Sequence, residues 1–228
     1  HQQALATMQD TTHPQPPVAI RQAATVAVLA DARDGLRVLL LRRAASHVFG
    51  ADADVYPGGA VDAADHHEAS ADAAYRRAAI RECFEEAGLL VALTAEPAGS
   101  AADIAATRAA LCAGEIDWRE CCCRLALSFE ADALVAFAHW TTPAGAPKRY
   151  ATQFYAVAAP AGQIATADGE ETTQAEWVLP SKALAEARAG QRLLMTPTRA
   201  TLEQLVGFDS VATALAGLNG SAVAGDER

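Results

Sequence analysis

The most restrictive feature of this sequence is a nine-residue segment, RECFEEAGL, at positions 81–89. It places one arginine and three carboxylates within six residues. In a helix with 3.6 residues per turn, Glu82 and Glu86 lie one turn apart and Glu85 lies beside them. Like charges at this spacing repel one another by about 0.2–0.5 kcal/mol per pair in water. A cluster of hard oxygen ligands suits Mg²⁺ or Mn²⁺, which would cancel that repulsion. The segment is therefore either a metal-binding helix or a solvated charged face.

The apolar residues around these carboxylates predict a helix over residues 72–87. Ile80, Phe84 and Ala87 fall on another side of that helix and are expected to face a core. Gly88 predicts its end, because glycine adopts the left-handed backbone conformation of a helix C-terminus at little cost.

A turn-rich run, VYPGGAVD at positions 55–62, precedes the helix. The two segments together resemble the Nudix hydrolase signature, in which a glycine is followed by Arg-Glu-apolar-any-Glu-Glu-any-Gly-apolar. Residues 81–89 meet every fixed position of the second half. The resemblance implies an α+β fold, the Nudix α/β/α sandwich with a mixed β-sheet, over about residues 23–205.

The first half of the signature departs from the family pattern. The interval between Gly59 and Arg81 is longer than usual, and the added residues include Asp65 and Glu68. The glutamate of the first half has no certain counterpart here, although Glu68 is the nearest acid. A lengthened loop at this point is similar to the coenzyme A diphosphatase-like branch of the superfamily.

The resemblance implies a set of metal ligands. One to three Mg²⁺ or Mn²⁺ ions would be held by Glu82, Glu85, Glu86 and the backbone carbonyl of Gly58. Arg81 lies one turn before Glu85, so we expect a charge-assisted hydrogen bond that orients this carboxylate.

The general base remains open between two candidates. Some Nudix enzymes take a glutamate from the loop before a Glu-any-Trp strand, and that pattern stands here at Glu176 and Trp177. Glu171 is the better positional match and Glu170 the reserve. The other candidate for the base is Glu85.

The implied reaction is cleavage of the diphosphate linkage of a nucleoside diphosphate derivative. Candidate substrate-binding residues are Arg42 and Arg43, at the end of a predicted strand, and Gly59 in the turn. The run LLRRA at positions 40–44 retains part of a coenzyme A diphosphatase signature. Coenzyme A or an acyl derivative is therefore the first substrate hypothesis, and an ADP-sugar or a dinucleotide is the alternative. A non-catalytic nucleotide-binding protein is the second function class, although such proteins usually lose one or more of these glutamates.

The rest of the chain predicts one domain, residues 19–218, between a flexible arm (1–18) and a flexible tail (219–228). Apolar and β-branched runs predict strands; alanine-rich runs predict helices. Strands are expected over residues 23–30, 36–41, 55–56, 89–93, 135–140 and 149–158. Residues 101–134 are expected to form a helical insertion that shapes a substrate pocket or a homodimer contact. Further helices are expected over residues 181–189 and 199–205, the last of them being the final helix.

Composition excludes several partners. The formal net charge of −10 argues against nucleic-acid binding, which needs clustered lysine and arginine. No apolar run has the length of a membrane span, and no signal peptide is evident, so a cytoplasmic location is expected. The five cysteines lack the spacing of a zinc site and are expected to be reduced thiols.

Overall fold

The computed structural model describes residues 18–46, 50–66 and 70–219 and, near the C-terminus, the strand Val223–Asp226. The strands are β1 (Ile20–Ala32), β2 (Gly35–Arg43), β3 (Asp54–Val55), β4 (Gly58–Ala60), β5 (Val135–Thr141), β6 (Arg149–Ala158), β7 (Thr172–Val178) and β8 (Val223–Asp226). The helices are α1 (Ala71–Ala87), α2 (Ala101–Cys112), α3 (Trp118–Arg124), α4 (Pro180–Arg188), α5 (Thr196–Leu205) and α6 (Val211–Leu218).

All eight strands belong to one mixed sheet with the main order β3-β2-β1-β6-β5-β8. Strand β4 pairs with β1, and β7 pairs with β2. The pairs β1–β6 and β5–β8 are parallel, whereas the others are antiparallel. The predicted α+β fold with a mixed sheet is confirmed.

The sheet carries a hydrophobic core on each face. Along β1, Val26 and Val28 belong to the core that includes α1, whereas Ala27 and Leu29 belong to the core that includes α4, α5 and α6. This alternation follows from the strand geometry, because successive side chains point to opposite faces. Helices therefore cover both faces, as the α/β/α arrangement requires.

The predicted helical insertion is present as α2, α3 and a 3₁₀ turn at Ala131–Ala133. Its ring contacts attach it to α1: Trp118 lies 6.2 Å from Phe84 and stacks on Phe129 at 5.9 Å, measured between ring centroids. The insertion therefore packs on the same face of the sheet as the carboxylate helix.

The strand expected over residues 89–93 does not form, and Leu93 makes only an isolated bridge to Phe129. Leu89, Leu90 and Val91 are nevertheless buried, as their apolar character predicts. The amide side chain of Gln163 accepts a hydrogen bond from the Leu90 amide at 2.8 Å and donates one to the Leu90 carbonyl at 3.4 Å. Because these bonds satisfy the Leu90 backbone, its burial does not require pairing with a neighbouring strand.

The C-terminal region differs from the sequence expectation. Helix α5 is not the last helix, since α6 follows it. The Ser210 hydroxyl caps α6 by accepting a hydrogen bond from the Thr213 amide, and Asp31, remote in sequence, accepts a further one from the Val211 amide at 2.8 Å. Residues 219–228 were expected to be flexible, yet Val223–Asp226 pairs with β5 and so occupies an edge that would otherwise leave backbone groups unpaired. The predicted N-terminal arm lies outside the described residues, except for Val18.

All five cysteines are described and all are free thiols; Cys83 and Cys121 are buried. No helix within the described ranges combines the length and apolarity needed to cross a membrane.

Candidate active site

Helix α1 presents the carboxylates as its spacing predicts. Ile80, Phe84 and Ala87 are buried in the core, and the carboxylate side faces the glycine turn. Gly88 has a φ of 70°, and its amide donates to the Phe84 carbonyl at 3.0 Å. The predicted C-terminal glycine is therefore confirmed.

Arg81 is the central cation of this side of the helix. Its side chain is only 6% exposed. Its Nη1 donates to Glu82 Oε1 at 2.9 Å and to Glu85 Oε2 at 3.0 Å. Its Nη2 donates to the Ala60 carbonyl at 2.9 Å and to Asp65 Oδ2 at 3.0 Å. The expected contact with Glu85 is present, and the same guanidinium also fixes Glu82 and the end of the glycine turn.

Asp65 is a site residue to which the sequence analysis gave no role. It is fully buried and accepts hydrogen bonds from Arg81 and from the Asp62 amide, the latter at 2.8 Å. The nearest acid named from sequence, Glu68, lies outside the described residues. The Asp62-x-x-Asp65 spacing, typical of a capped turn, was the available signal, and the structure has a 3₁₀ turn there.

The glycine turn approaches the carboxylates closely. The Gly58 amide donates to Glu86 Oε2 at 2.9 Å. A Cβ added at Gly59 would lie 2.4 Å from Glu82 Oε1, and one at Gly58 would lie 2.4 Å from the Ala24 carbonyl oxygen. Gly58 therefore excludes a side chain, because the neighbouring strand lies there, whereas a side chain at Gly59 would displace the Glu82 carboxylate.

The three carboxylates have raised pKa values because they are buried together. Burial raises the pKa of Glu82 to about 7; Arg81 partly offsets this effect, and Glu85 and Glu171 add to it. Burial also raises the pKa of Glu85, against the influence of Arg81. The pKa of Glu86 is well above its usual range, through burial and then the charge of Glu82, despite the bond from Gly58. Burial is therefore the main reason that the charged form of these carboxylates is disfavoured, and neighbouring acids add to it.

The loop before β7 brings further acids to the same place. Glu170 and Glu171 both line the cavity in front of α1, as does Asp168. Asp168 Oδ1 accepts hydrogen bonds from the amides of Glu170 at 2.5 Å and of Glu171 at 2.7 Å. The structure thus brings both predicted loop acids to the site and adds Asp168, a turn-forming residue that the sequence analysis did not single out.

The cavity itself has a volume of about 410 Å³. One side of the cavity is acidic, and the other side, formed by α2 and the residue after it, is mostly small or apolar. The described lining residues of both sides are Glu82, Glu85, Glu86, Ala105, Arg108, Ala109, Leu111, Cys112, Ala113, Asp168, Glu170 and Glu171. The insertion is therefore part of the site, and the pocket-shaping role considered from sequence has a structural basis.

The two predicted arginines of β2 differ in position. Arg42 donates to both carboxylate oxygens of Asp54, at 2.9 and 3.0 Å, and does not line the cavity. This geometry does not support the predicted substrate contact for Arg42, because its guanidinium forms an ion pair with the nearly buried Asp54. Arg43 follows it in the strand and lowers the pKa of Glu86 through its charge, which puts it within electrostatic reach of the site. Alternation along the strand separates the two side chains.

The donor chemistry of the site fits a divalent cation. Within the described residues, no three His, Cys, Asp or Glu side chains are already arranged to hold a metal ion. Glu82 and Glu85 bind Arg81 instead, and Glu86 binds the Gly58 amide. The donors are nevertheless hard oxygens in a region of excess negative charge, as Mg²⁺ or Mn²⁺ requires. Binding would require these side chains to rotate away from their present partners.

Comparison with known proteins agrees with this geometry. The profile described as "NUDT19 Nudix domain" matches residues 66–203, more than half of the chain. The chain belongs to the Nudix family. A second profile, "NUDIX domain", matches residues 20–109.

Two similar proteins carry the Nudix name. The first is "Putative nudix hydrolase 7" of Caenorhabditis elegans, which is 30% identical over 165 residues, 71% of this chain and 52% of the relative. The chain thus spans about half the length of that curated relative. The second is the crystal structure of a NUDIX hydrolase from Alicyclobacillus acidocaldarius, 27% identical, with a TM-score of 0.76. That match covers 87% of this chain and 96% of the bacterial chain.

Proposed function

We propose that this Nudix protein hydrolyses the diphosphate linkage of a nucleoside diphosphate derivative in a reaction that depends on Mg²⁺ or Mn²⁺. The observation that carries the proposal is the group of three carboxylates, one buried and two partly buried, with raised pKa values beside the glycine turn, at the wall of one cavity. A binding surface without chemistry has no need for such an unfavourable concentration of like charge.

The metal ligands would be Glu82, Glu85 and Glu86, with the backbone carbonyl of Gly58. When bound, a divalent cation stabilises charge that develops on the diphosphate and lowers the pKa of an attacking water. The protein contributes the placement of the ligands. Arg81 orients two of them, and the absence of a side chain at Gly59 lets Glu82 lie against the turn.

Either Glu171 or Glu85 accepts the proton of the attacking water. Glu171 lines the cavity on a loop whose backbone Asp168 holds. Glu85 has a raised pKa but shares Arg81 with Glu82. Both residues lie at the cavity wall, so the assignment requires the variants described in the Discussion.

Coenzyme A or an acyl derivative is the first candidate substrate, with an ADP-sugar or a dinucleotide as the alternative. The partial signature around Arg42 and Arg43 and the lengthened loop after Gly59 support this choice. The cavity volume of about 410 Å³ lies in the range of small-molecule sites. We further propose that the ligand is a small nucleotide-like molecule and that the protein is cytoplasmic. A homodimer is the assembly to test.

The proposal is tested by incubating the protein with a substrate panel in Mg²⁺ or Mn²⁺ and identifying the products by mass spectrometry. The panel contains coenzyme A, acyl derivatives, ADP-ribose, NADH, diadenosine polyphosphates and nucleoside triphosphates; matched samples contain EDTA. We expect metal-dependent release of two phosphate-bearing products from at least one diphosphate. Cleavage of coenzyme A to 3′,5′-ADP and 4′-phosphopantetheine would support the first candidate. If no compound is cleaved but a nucleotide raises the thermal stability, the protein is a binder and the proposal is overturned.

A further inference from the structure

The insertion reaches the carboxylate helix through one cationic side chain, Arg108 of α2. Its Nε and Nη2 donate to the Glu85 carbonyl at 3.1 and 2.8 Å. Nη2 also donates to the Thr166 carbonyl, at 2.9 Å, in the segment that leads to the acidic loop. These bonds join the insertion, the end of α1 and the β6–β7 connection, and they fix the plane of the guanidinium.

The end of α1 is shaped to accept this side chain. A Cβ added at Gly88 would lie 2.9 Å from Arg108 Nη1, so the absence of a side chain there lets the guanidinium lie against the helix terminus. The terminal carbonyl oxygens of a helix carry partial negative charge, which favours a cation at this position. Arg108 is therefore held by the backbone.

The charge of Arg108 is not cancelled by a carboxylate. All of its hydrogen bonds within the described part of the chain end on carbonyl oxygens, and Nη1 donates none there. Among the described residues that line the cavity, Arg108 is the one cation beside six acidic residues. An anionic ligand entering this cavity meets one guanidinium that is held in place and, among the described residues, makes no direct bond to a carboxylate.

The neighbours of Arg108 on α2 leave space for such a ligand. Ala105 and Ala109 line the cavity, and Cys112, one turn after Arg108, also lines it. The Cys112 thiol is exposed and lies 3.6 Å from the same Glu85 carbonyl that Arg108 binds. A ligand held by Arg108 would therefore cover Cys112.

We propose that Arg108 is a substrate-binding residue, which contacts an anionic oxygen of the diphosphate, so that the helical insertion contributes directly to substrate affinity. This inference rests on the proposed function for the nature of the ligand. A planar guanidinium suits a diphosphate because it can donate to two oxygens of a phosphate group with fixed geometry.

The kinetic test compares Arg108→Gln and Arg108→Lys with Arg119→Gln, a control on the exposed surface of α3 in the same insertion. The substrate is the diphosphate that the panel shows to be cleaved. We expect Arg108→Gln to raise KM by about tenfold or more, the factor that corresponds to one charge-assisted contact, with a smaller change in kcat. Arg108→Lys should recover part of the affinity, and Arg119→Gln should match the wild type. An unchanged KM in a folded Arg108→Gln protein overturns the proposal, as does a parallel loss of kcat and thermal stability in both Arg108 variants.

A second measurement does not depend on turnover. The protein is alkylated with iodoacetamide with and without ADP and Mg²⁺, and modification of Cys112 is measured by mass spectrometry. For each variant the rate with ADP is divided by its own rate without ADP, because Arg108 also influences the pKa of Cys112. We expect ADP to protect Cys112 in the wild type and in Arg119→Gln but not in Arg108→Gln. Equal protection in all three proteins, or none in the wild type, contradicts the proposal.

The two measurements separate the proposals. If the wild type cleaves nothing while ADP protects Cys112 through Arg108, the hydrolase function fails and the anion-binding role of Arg108 stands. If hydrolysis proceeds normally in Arg108→Gln, the function stands and the role of Arg108 fails.

Discussion

Two buried arginines, each surrounded by several acids, behave differently in this molecule. The members of the Arg81 cluster are Arg81, Asp62, Asp65, Glu82 and Glu85, and those of the Arg192 cluster are Arg192, Asp54, Glu176 and Glu186. Both arginine side chains are 6% exposed. Only the Arg81 cluster contributes residues to the cavity.

The direction of the pKa shifts distinguishes the two clusters. In the Arg192 cluster, the hydrogen bond from Arg192 lowers the pKa of Glu186. In the Arg81 cluster, burial raises the pKa of Glu85 even though Arg81 donates to it. Arg42 adds a second cation to Asp54 in the first case, whereas Glu86 and Glu171 add negative charge near Glu82 in the second. Contact with an arginine therefore does not show whether an acid is structural, because burial outweighs Arg81 at Glu85 whereas the bond from Arg192 outweighs burial at Glu186.

The largest effect is expected from neutralising an acid beside Arg81. Glu85→Gln or Glu86→Gln should lower kcat by at least about 10², because an amide is a poorer ligand for a hard cation than a carboxylate. Folding should be intact, since loss of a buried charge among like charges costs little. Kinetics and thermal unfolding of the purified variants check this. The matched control, Glu186→Gln, should keep its rate, and full activity in both Glu85→Gln and Glu86→Gln would falsify the assignment of the metal ligands.

The second-largest effect is expected from Glu171→Gln, which tests whether Glu171 is the general base. If Glu171 accepts the proton, the rate should fall by about 10², at the low end of what a general base contributes. Single-turnover kinetics at saturating metal measure the chemical step. Glu170→Gln serves as the neighbouring control on the same loop. A near-normal rate in Glu171→Gln would return the base role to Glu85.

Asp65→Asn tests a residue that acts through Arg81. We expect a loss of about 10–100-fold in kcat, the range found for residues that orient metal ligands. Asp54→Asn is the matched change in the Arg192 cluster, where Asp54 is also buried, and it should reduce stability but not the rate. Equal kinetic effects of the two substitutions would remove the distinction between the clusters.

The smallest effect on the rate is expected from Arg192→Gln. This change leaves Asp54 with Arg42 as its partner and should lower the free energy of unfolding by about 2 kcal/mol, as expected for the loss of hydrogen bonds to charged groups. Urea unfolding and steady-state kinetics on the same preparation measure both quantities. A large loss of kcat without a loss of stability would show that the Arg192 cluster supports catalysis.

Local sequence was sufficient for the parts of the fold that depend on neighbouring residues. The helix around Glu82, its end at Gly88 and the Arg81–Glu85 contact all follow from spacing within one or two turns. The strand expected over residues 89–93 was wrong, because burial alone does not specify a strand when a side chain such as Gln163 can satisfy the backbone. Helix α6 was missed although its cap is local: Ser210 and Thr213 form a capping box, and Asp31 adds one hydrogen bond from far away in the chain.

The sequence by itself therefore determined the Nudix family and the identity of the clustered carboxylates, since both depend on residue type and short spacing. The tertiary structure determined which charged residues are in contact with one another. It placed Asp65 on Arg81, Asp54 on Arg42, and Arg108 of the insertion at the end of α1. The physical reason is that the partner of a buried charge is selected by packing between elements distant in sequence, where burial makes each unpaired charge costly and each contact specific.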